Sequence, residues 1–372
     1  MPTWDVRFDL HVSLGDEELI RLVSRAEALA QIVRGIPISP LNYERIDRLN
    51  ISRAVRGTTG IEGANLSEEE VRQILESNQQ VLGQARAREE MEARNAGAVM
   101  EFVAKVLQEN PDQSLTEATV CEIHRLTTTG IDYPHNTPGQ YRSHAVSALT
   151  YVPPQTHDEV CRLMDEFVGW LNEDPVCYWS PVIKAVAAHF YFISVHPFGD
   201  GNGRTARAIE SYLLYQGKIN VVGFYSLSNF YYRNRTEYVE MLDHVRFRSG
   251  GDLTPFLKFA IKGLVEELEE VRAEVLRAVT VVVFRDFARE TLELSRRASA
   301  GTNRMQTFLE HLHDSVAIAD IRNGRHYLSS LYKGLSSKTL DRDLKFLEQH
   351  NLIVRESRRV RRNLEVMRQF TR

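Results

Sequence analysis

At 372 residues with 43% hydrophobic side chains, the chain has material for a large apolar core and for two or three domains. A formal net charge of −4 and a pI near 6.3 exclude a chain that is basic throughout, so any nucleic-acid contact has to come from a local patch. Cys121, Cys161 and Cys177 are odd in number, far apart and form no CxxC, which argues against a disulfide framework or a zinc finger and suits a reducing cytoplasm. The N-terminal MPTWDVRFDL has no signal-peptide pattern, and no apolar run of about 18 residues offers a membrane span.

In chain order, LNYERIDRLNISRAVRGTTGIEG carries apolar residues at helical spacing, and NLSEEEVRQIL opens a second helix with Ser67 as N-cap and Glu70 closing a capping box. SLTEATVCEIHRLTTTG predicts another helix that stops before Gly130. PGQYRSHAVSALTYVPP is bounded by proline, rich in Ser, Thr, Val and Tyr, and without helical period, which predicts a short β-hairpin. SPVIKAVAAHFYFISV is apolar on nearly all sides and reads as a helix at the centre of the fold. RTARAIESYLLYQG resumes helical spacing through Ala206, Ile209 and Leu213 and ends at Gly217. From Pro255 a long, increasingly charged helix leads into a connector, with a boundary between 275 and 300. The whole is mainly α.

Between the two central helices stands HPFGDGNGRTAR, residues 196 to 207. Gly201, Asn202 and Gly203 before a helix starting at Arg204 offer free N–H groups at a positive helix end, a setting for anions. Arg204 and Arg207, three apart, project from one face of the first turn and reach one polyphosphate. Asp200 beside them is an oxygen ligand suited to Mg²⁺, which favours a metal-bound nucleotide. His196 has the unperturbed pKa that a general base at neutral pH requires. No GxxxxGK[ST] appears, nor a GxGxxG after a strand. His189 and His196 lack a third ligand for zinc, and His189 reads as a satisfied core histidine.

These residues match the motif H-x-F-x-[D/E]-G-N-G-R-x-x-R at each defined position, and the chain resembles Fic proteins over about 115 to 260, including YVPP, IKAVAAHFYFISVHPF and PFLKF. The resemblance implies a Fic-type helical core with a β-hairpin flap, and transfer of AMP from ATP to a hydroxyl side chain of a target protein. It makes His196 the base, Asp200 the Mg²⁺ ligand, Gly201 to Gly203 the phosphate cradle, and Arg204 and Arg207 the grip on the phosphates; Phe198 is a core anchor of the loop. The flap, with Val146 near its tip, would take the target by β-augmentation. TEYVEML resembles the adenine-pocket segment, offering Tyr238 and Leu242, with Val239 where many relatives have a second Tyr. TTGIEG matches the inhibitory pattern [S/T]-x-x-x-E-[G/N] as Thr58, Glu62 and Gly63. Glu62 would pair with Arg207 and displace the γ-phosphate.

The expected domains are an N-terminal helical region (1–110, inhibitory motif at 58–63), a Fic core (111–275), a helical connector (276–300) and a C-terminal winged helix-turn-helix (301–372). In the last, Ser336 to Gln349 is the recognition helix, with Leu331, Leu340, Leu344 and Leu347 inward, and Arg358, Arg359, Arg361 and Arg362 form the basic wing. The reading is therefore an autoinhibited, cytoplasmic, ATP- and Mg²⁺-dependent protein adenylyltransferase acting on Ser, Thr or Tyr. A homodimer and a DNA contact stay open. The alternatives are removal of AMP from a modified protein, or a nucleotide sensor serving a DNA-binding tail.

Overall fold

The computed structural model describes residues 2–9, 11–13, 15–148, 150–220, 227–295 and 300–370. The chain forms two compact units, 1–274 and 275–372.

The first unit begins with α1 (Glu17–Gly35), α2 (Pro40–Ile61) and α3 (Glu68–Glu76), followed by α4 (Ala87–Glu109) and α5 (Glu117–Thr128). The start of α3 is the expected capping box, with Ser67 accepting from the Glu70 N–H and Glu70 reaching back to the Ser67 N–H. Then come α6 (His157–Asn172), α7 (Pro181–Val195), α8 (Asn202–Gln216), α9 (Ser228–Arg233), α10 (Arg235–Phe247) and α11 (Thr254–Ser295), a helix that passes the boundary between the units. Helix α7 is the centre: Val182, Ala185, Val186, Ala187, Ala188, Phe190, Phe192 and Val195 are all fully buried, as an all-round apolar sequence requires. It packs most extensively on α8. Helix α2 lies against α9 at very short range, because Gly57 and Gly60 have no side chains there; a Cβ on Gly57 would stand 2.6 Å from the Asn229 nitrogen, and one on Gly60 2.5 Å from the Tyr232 ring.

The expected hairpin is corrected. No strand ladder forms among the described residues of 138–154, and Leu149 lies outside them. Exposure nonetheless alternates along it, with Ser143, Ala145 and Ser147 exposed and His144, Val146 and Ala148 half-buried, so the chain is extended with one face on the protein. One backbone bond, Ala148 N–H to Tyr151 O, closes its end. Two short arms cannot supply the cross-strand bonds of a stable hairpin, and the segment's ends are held by other partners, described below.

The second unit contains α12 (Ala300–His311), β1 (Val316–Ala317), α13 (Ile318–Arg322), α14 (Ser337–Gln349), β2 (Ile353–Glu356) and β3 (Arg359–Arg362). The strands form an antiparallel sheet in the order β1-β3-β2, with Val316 opposite Val360 and Ile353 opposite Arg362. Leu340, Leu344 and Leu347 of α14 are buried with Phe308, Leu312, Ile353 and Val360, and Leu331 packs against them. The expected arginine wing is largely committed to its own unit. Arg362 is 8% exposed and donates to Leu312 O, Arg361 pairs with Glu356 and Glu365, and Arg359 donates to Ser315.

Candidate functional site

Helix α7 ends where His196 takes a left-handed backbone, φ 52°, ψ 57°. For a non-glycine residue this costs of order 1–3 kcal/mol, and it turns the imidazole away from the helix line. Nδ1 lies 3.4 Å from Ile193 O, which makes it the protonated nitrogen, and Nε2 has no hydrogen-bond partner among the described residues. Burial, reinforced by the Arg142 and Arg246 charges against the opposing effects of the Ile193 carbonyl and Glu62, brings its pKa down to about 4. At neutral pH the imidazole is neutral, with its proton on Nδ1.

Beyond it, Phe198 is fully buried, and the Asn202 side chain bonds both ways to its backbone: Phe198 N–H donates to Oδ1 at 2.9 Å and Nδ2 donates to Phe198 O at 2.8 Å. The Asn202 side chain thus shapes the loop, and what this residue offers a phosphate is its backbone N–H. Gly201 (φ 77°) is the N-cap of α8 and gives it no side-chain cap, so the first-turn N–H groups of Asn202, Gly203 and Arg204 have no side-chain cap to accept from them. Asp200 is 42% exposed, and its Oδ1 accepts from Gly201 N–H and, at 3.1 Å, from Arg204 Nη2. Arg204 is 6% exposed and lies over the Tyr133 ring; its Nη1 stands 3.6 Å from Glu92 Oε1, and its Nε is buried without a hydrogen-bond partner among the described residues. Such a donor beside an uncapped helix end suits an anion.

The last turn of α2 reaches this helix end. Arg207, 2% exposed, donates from Nε to Thr58 Oγ1 (2.9 Å) and from Nη2 to both Thr58 O (3.0 Å) and Glu62 Oε1 (2.7 Å). Partial burial favours the neutral acid of Glu62, but Arg207, with Arg204 and Arg235, outweighs it and holds the carboxyl below its ordinary range. A Cβ on Gly203 would stand 2.4 Å from Glu62 Oε1, so the carboxylate rests directly on the first turn of α8. Gly63, at φ 106° in open space, takes the left-handed backbone that ends α2 just after Glu62.

Tyr238 and Leu242 are 4% and 6% exposed. The Tyr238 hydroxyl is 2.8 Å from His189 Nε2, while His189 Nδ1 is 2.6 Å from Glu210, which also accepts from Tyr231. His189 is thus a satisfied core residue, and Tyr238 is tied into that network. Val146 lies in the extended segment, its carbonyl accepting from Gln155.

Sequence reasoning missed four residues. His124 is fully buried and stacked on Phe198 at 3.6 Å; it accepts from Gly139 N–H on Nδ1, so Nε2–H donates to Asp200 O at 2.9 Å. Arg142 donates to His196 O at 2.8 Å, Arg246 donates to Ser194 Oγ, and Arg235 donates to Ile61 O at the end of α2. All four act through backbone groups or from distant helices, so spacing carries no signal for them.

Residues 114–214 match the model of the Fic/DOC family. The chain is 31% identical over 246 residues to the protein adenylyltransferase Fic of Aedes aegypti, covering 66% of this chain and 46% of that protein, and 28% identical over 251 residues to that of Drosophila melanogaster (68% and 47%). It therefore spans about half the length of these relatives. Among solved structures it is similar to Fic-1 (aa134–508) from C. elegans, with TM-score 0.59 and 26% identity over 70% of this chain and 73% of that one. A Fic family protein from Desulfovibrio desulfuricans G20 shares the fold over 97% of this chain and 98% of its own, with TM-score 0.59 and 20% identity. Motif, fold and relatives agree that residues 114–214 of this chain carry a Fic/DOC domain.

Proposed function

We propose that this protein is an autoinhibited adenylyltransferase that moves AMP from ATP to a Ser, Thr or Tyr hydroxyl of a target protein. One observation carries the reading: the Glu62 carboxylate rests against Gly203 and on Arg207, an internal anion lying where the uncapped end of α8 would take a substrate phosphate. When Glu62 withdraws, its place on Arg207 and beside the unbonded Nε of Arg204 is left for the phosphate chain, which fixes the α-phosphate near His196. Nε2 of His196 then takes the proton of the attacking hydroxyl as its oxygen bonds to the α-phosphorus, and pyrophosphate leaves with the broken P–O bond. The names of the insect relatives support this direction of transfer.

Among the described residues no cluster of three or more His, Cys, Asp or Glu could hold a metal. A lone exposed carboxylate fits Mg²⁺ that keeps most of its ligands as water and phosphate oxygens, and Asp200 is that residue. The ion would supply neutralisation of the phosphate charge. We further read the N-terminal helices 1–110 as the regulatory part, 111–275 as the catalytic core with Tyr238 and Leu242 toward the base, and 301–372 as a winged helix. The protein is assigned to the cytoplasm, with DNA binding and dimer formation to be tested by gel shift and sedimentation.

The test is label from α-³²P-ATP with Mg²⁺. Glu62→Gly should raise incorporation by at least about tenfold, the loss of one charge-assisted bond of some 1.5–3 kcal/mol, and Glu62→Gly with His196→Ala should abolish it. Release of AMP from a modified protein, with no label in any variant, would reverse the assignment to AMP removal.

A further inference from the structure

Arg142 is 3% exposed and among the described residues makes no ion pair with a carboxylate. A buried cation without an anion is costly unless its donors are otherwise met. Here they are met by three carbonyls from separate stretches: Nε donates to His196 O at 2.8 Å, Nη1 to His144 O at 3.0 Å, and Nη2 to Pro154 O. Its main chain adds two more ties, N–H to Pro197 O at 3.0 Å and O from His157 Nδ1 at 2.9 Å. One guanidinium thus joins the backbone of His196 to both ends of the extended segment, at 144 and at 154. The far end of that segment is also tied down, with Val152 N–H donating to Pro2 O and the Tyr151 hydroxyl to Ile193 O, but no ladder fixes the stretch 143–148, so the Arg142 bonds set where its open edge lies relative to the imidazole.

We propose that Arg142 is the positioning residue that holds the docking segment 143–154 in register with His196, so that a hydroxyl carried on a strand paired to that edge arrives at Nε2. The proposal rests on the reading of His196 as base and of this segment as the target-docking flap. A planar fork can serve three carbonyls at once, whereas a single ammonium on a flexible stem cannot hold them in the same directions. Helix α8 and its arginines are not among the groups Arg142 touches, so nucleotide binding should be separable from transfer.

The experiment compares Arg142→Lys and Arg142→Met in the full chain carrying Glu62→Gly. Three quantities are measured: binding of a fluorescent ATP analogue, self-labelling from α-³²P-ATP, and hydrogen exchange at the bonded amides of residues 142, 148 and 152. The expected result is nucleotide affinity within about twofold, exchange faster by about tenfold, and labelling reduced on the order of 100-fold in both variants, the effect of an ångström-scale misplacement. His157→Phe, which removes the bond to Arg142 O and the 3.5 Å contact of Nε2 with Cys161 Sγ on the outer side of the ring, should leave nucleotide affinity unchanged and move exchange and labelling the same way by less, and it supplies the test where Arg142→Met does not fold. Labelling retained by Arg142→Lys, or nucleotide binding that falls in parallel with labelling, overturns the proposal. Absence of label already in Glu62→Gly would instead remove the transfer reading, and unchanged exchange at 142, 148 and 152 would still refute Arg142's role.

Discussion

Gly203 separates two ways of losing inhibition. Its missing Cβ is the space in which Glu62 Oε1 lies, 2.4 Å from where that carbon would stand and with Arg207 Nη1 3.1 Å from it. Gly203→Ala should therefore dislodge Glu62 as Glu62→Gly does, yet block the same cradle to phosphate. We expect no gain in labelling and a loss of ATP affinity, read by calorimetry; activation by Gly203→Ala would show that the cradle lies elsewhere. His196 makes a second prediction at this scale. Because burial and two arginines bring its pKa to about 4, the acid limb of kcat/KM in Glu62→Gly should fall near pH 4 to 5, well below the ordinary histidine value of about 6.5. A midpoint at the ordinary value would mean that the imidazole is more solvated than its surroundings imply.

Helix α2 acts as an element, since its last turn carries Thr58, Glu62 and the carbonyl held by Arg235, while its seat on α9 depends on Gly57 and Gly60. Gly57→Ala puts a Cβ 2.6 Å from the Ser228–Asn229 backbone, which cannot retreat as a flexible side chain would. The helix has to shift, so both the melting temperature and the inhibition should fall: we expect overpacking to cost about 1–3 kcal/mol and labelling to rise. Glu62→Gly, by contrast, should raise labelling with a smaller change in melting temperature. If Gly57→Ala melts earlier yet stays inhibited, the position of Glu62 does not depend on this seam. The flap illustrates the opposite case, an element whose residues favour strand but which, among the described residues, pairs only through a single bridge between Val152 and Thr3.

Across the whole molecule, two histidines make stability depend on pH in one direction. His124, buried between Gly139 and Asp200, and His196 both have folded pKa values of about 4, against about 6.5 when unfolded. Between those values the unfolded chain binds protons that the folded chain does not, so stability is full above about 6.5 and declines as pH falls toward 4. For fully buried His124 the decline is at most on the order of 3 kcal/mol. Urea titrations at pH 7 and 5 should show it, and His124→Gln should flatten the dependence; equal midpoints at both pH values would refute the two low pKa values. In the second unit, Arg362→Met should lower that unit's stability, since its guanidinium holds Leu312 O from inside the core, which differential calorimetry would detect.

Local chemistry is what the sequence by itself determined. The capping box at Ser67, the all-apolar run of α7, the glycines that end α2 and permit α8 to start, and the ordered set of His196, Asp200, Arg204 and Arg207 are legible because each depends on neighbours within one turn or one loop. The partner of Arg207 was legible as well, but only through a motif 145 residues away along the chain. Tertiary structure alone decided which polar groups were already spent. Asn202 closes its own loop, Arg361 and Arg362 of the expected wing are taken up within their unit, Tyr238 is bonded to His189, and the flap's place is held by Arg142 through carbonyls that every residue carries. A backbone carbonyl leaves no mark in an amino-acid sequence, and a side chain's availability depends on what packs against it, so both are settled only when distant segments meet.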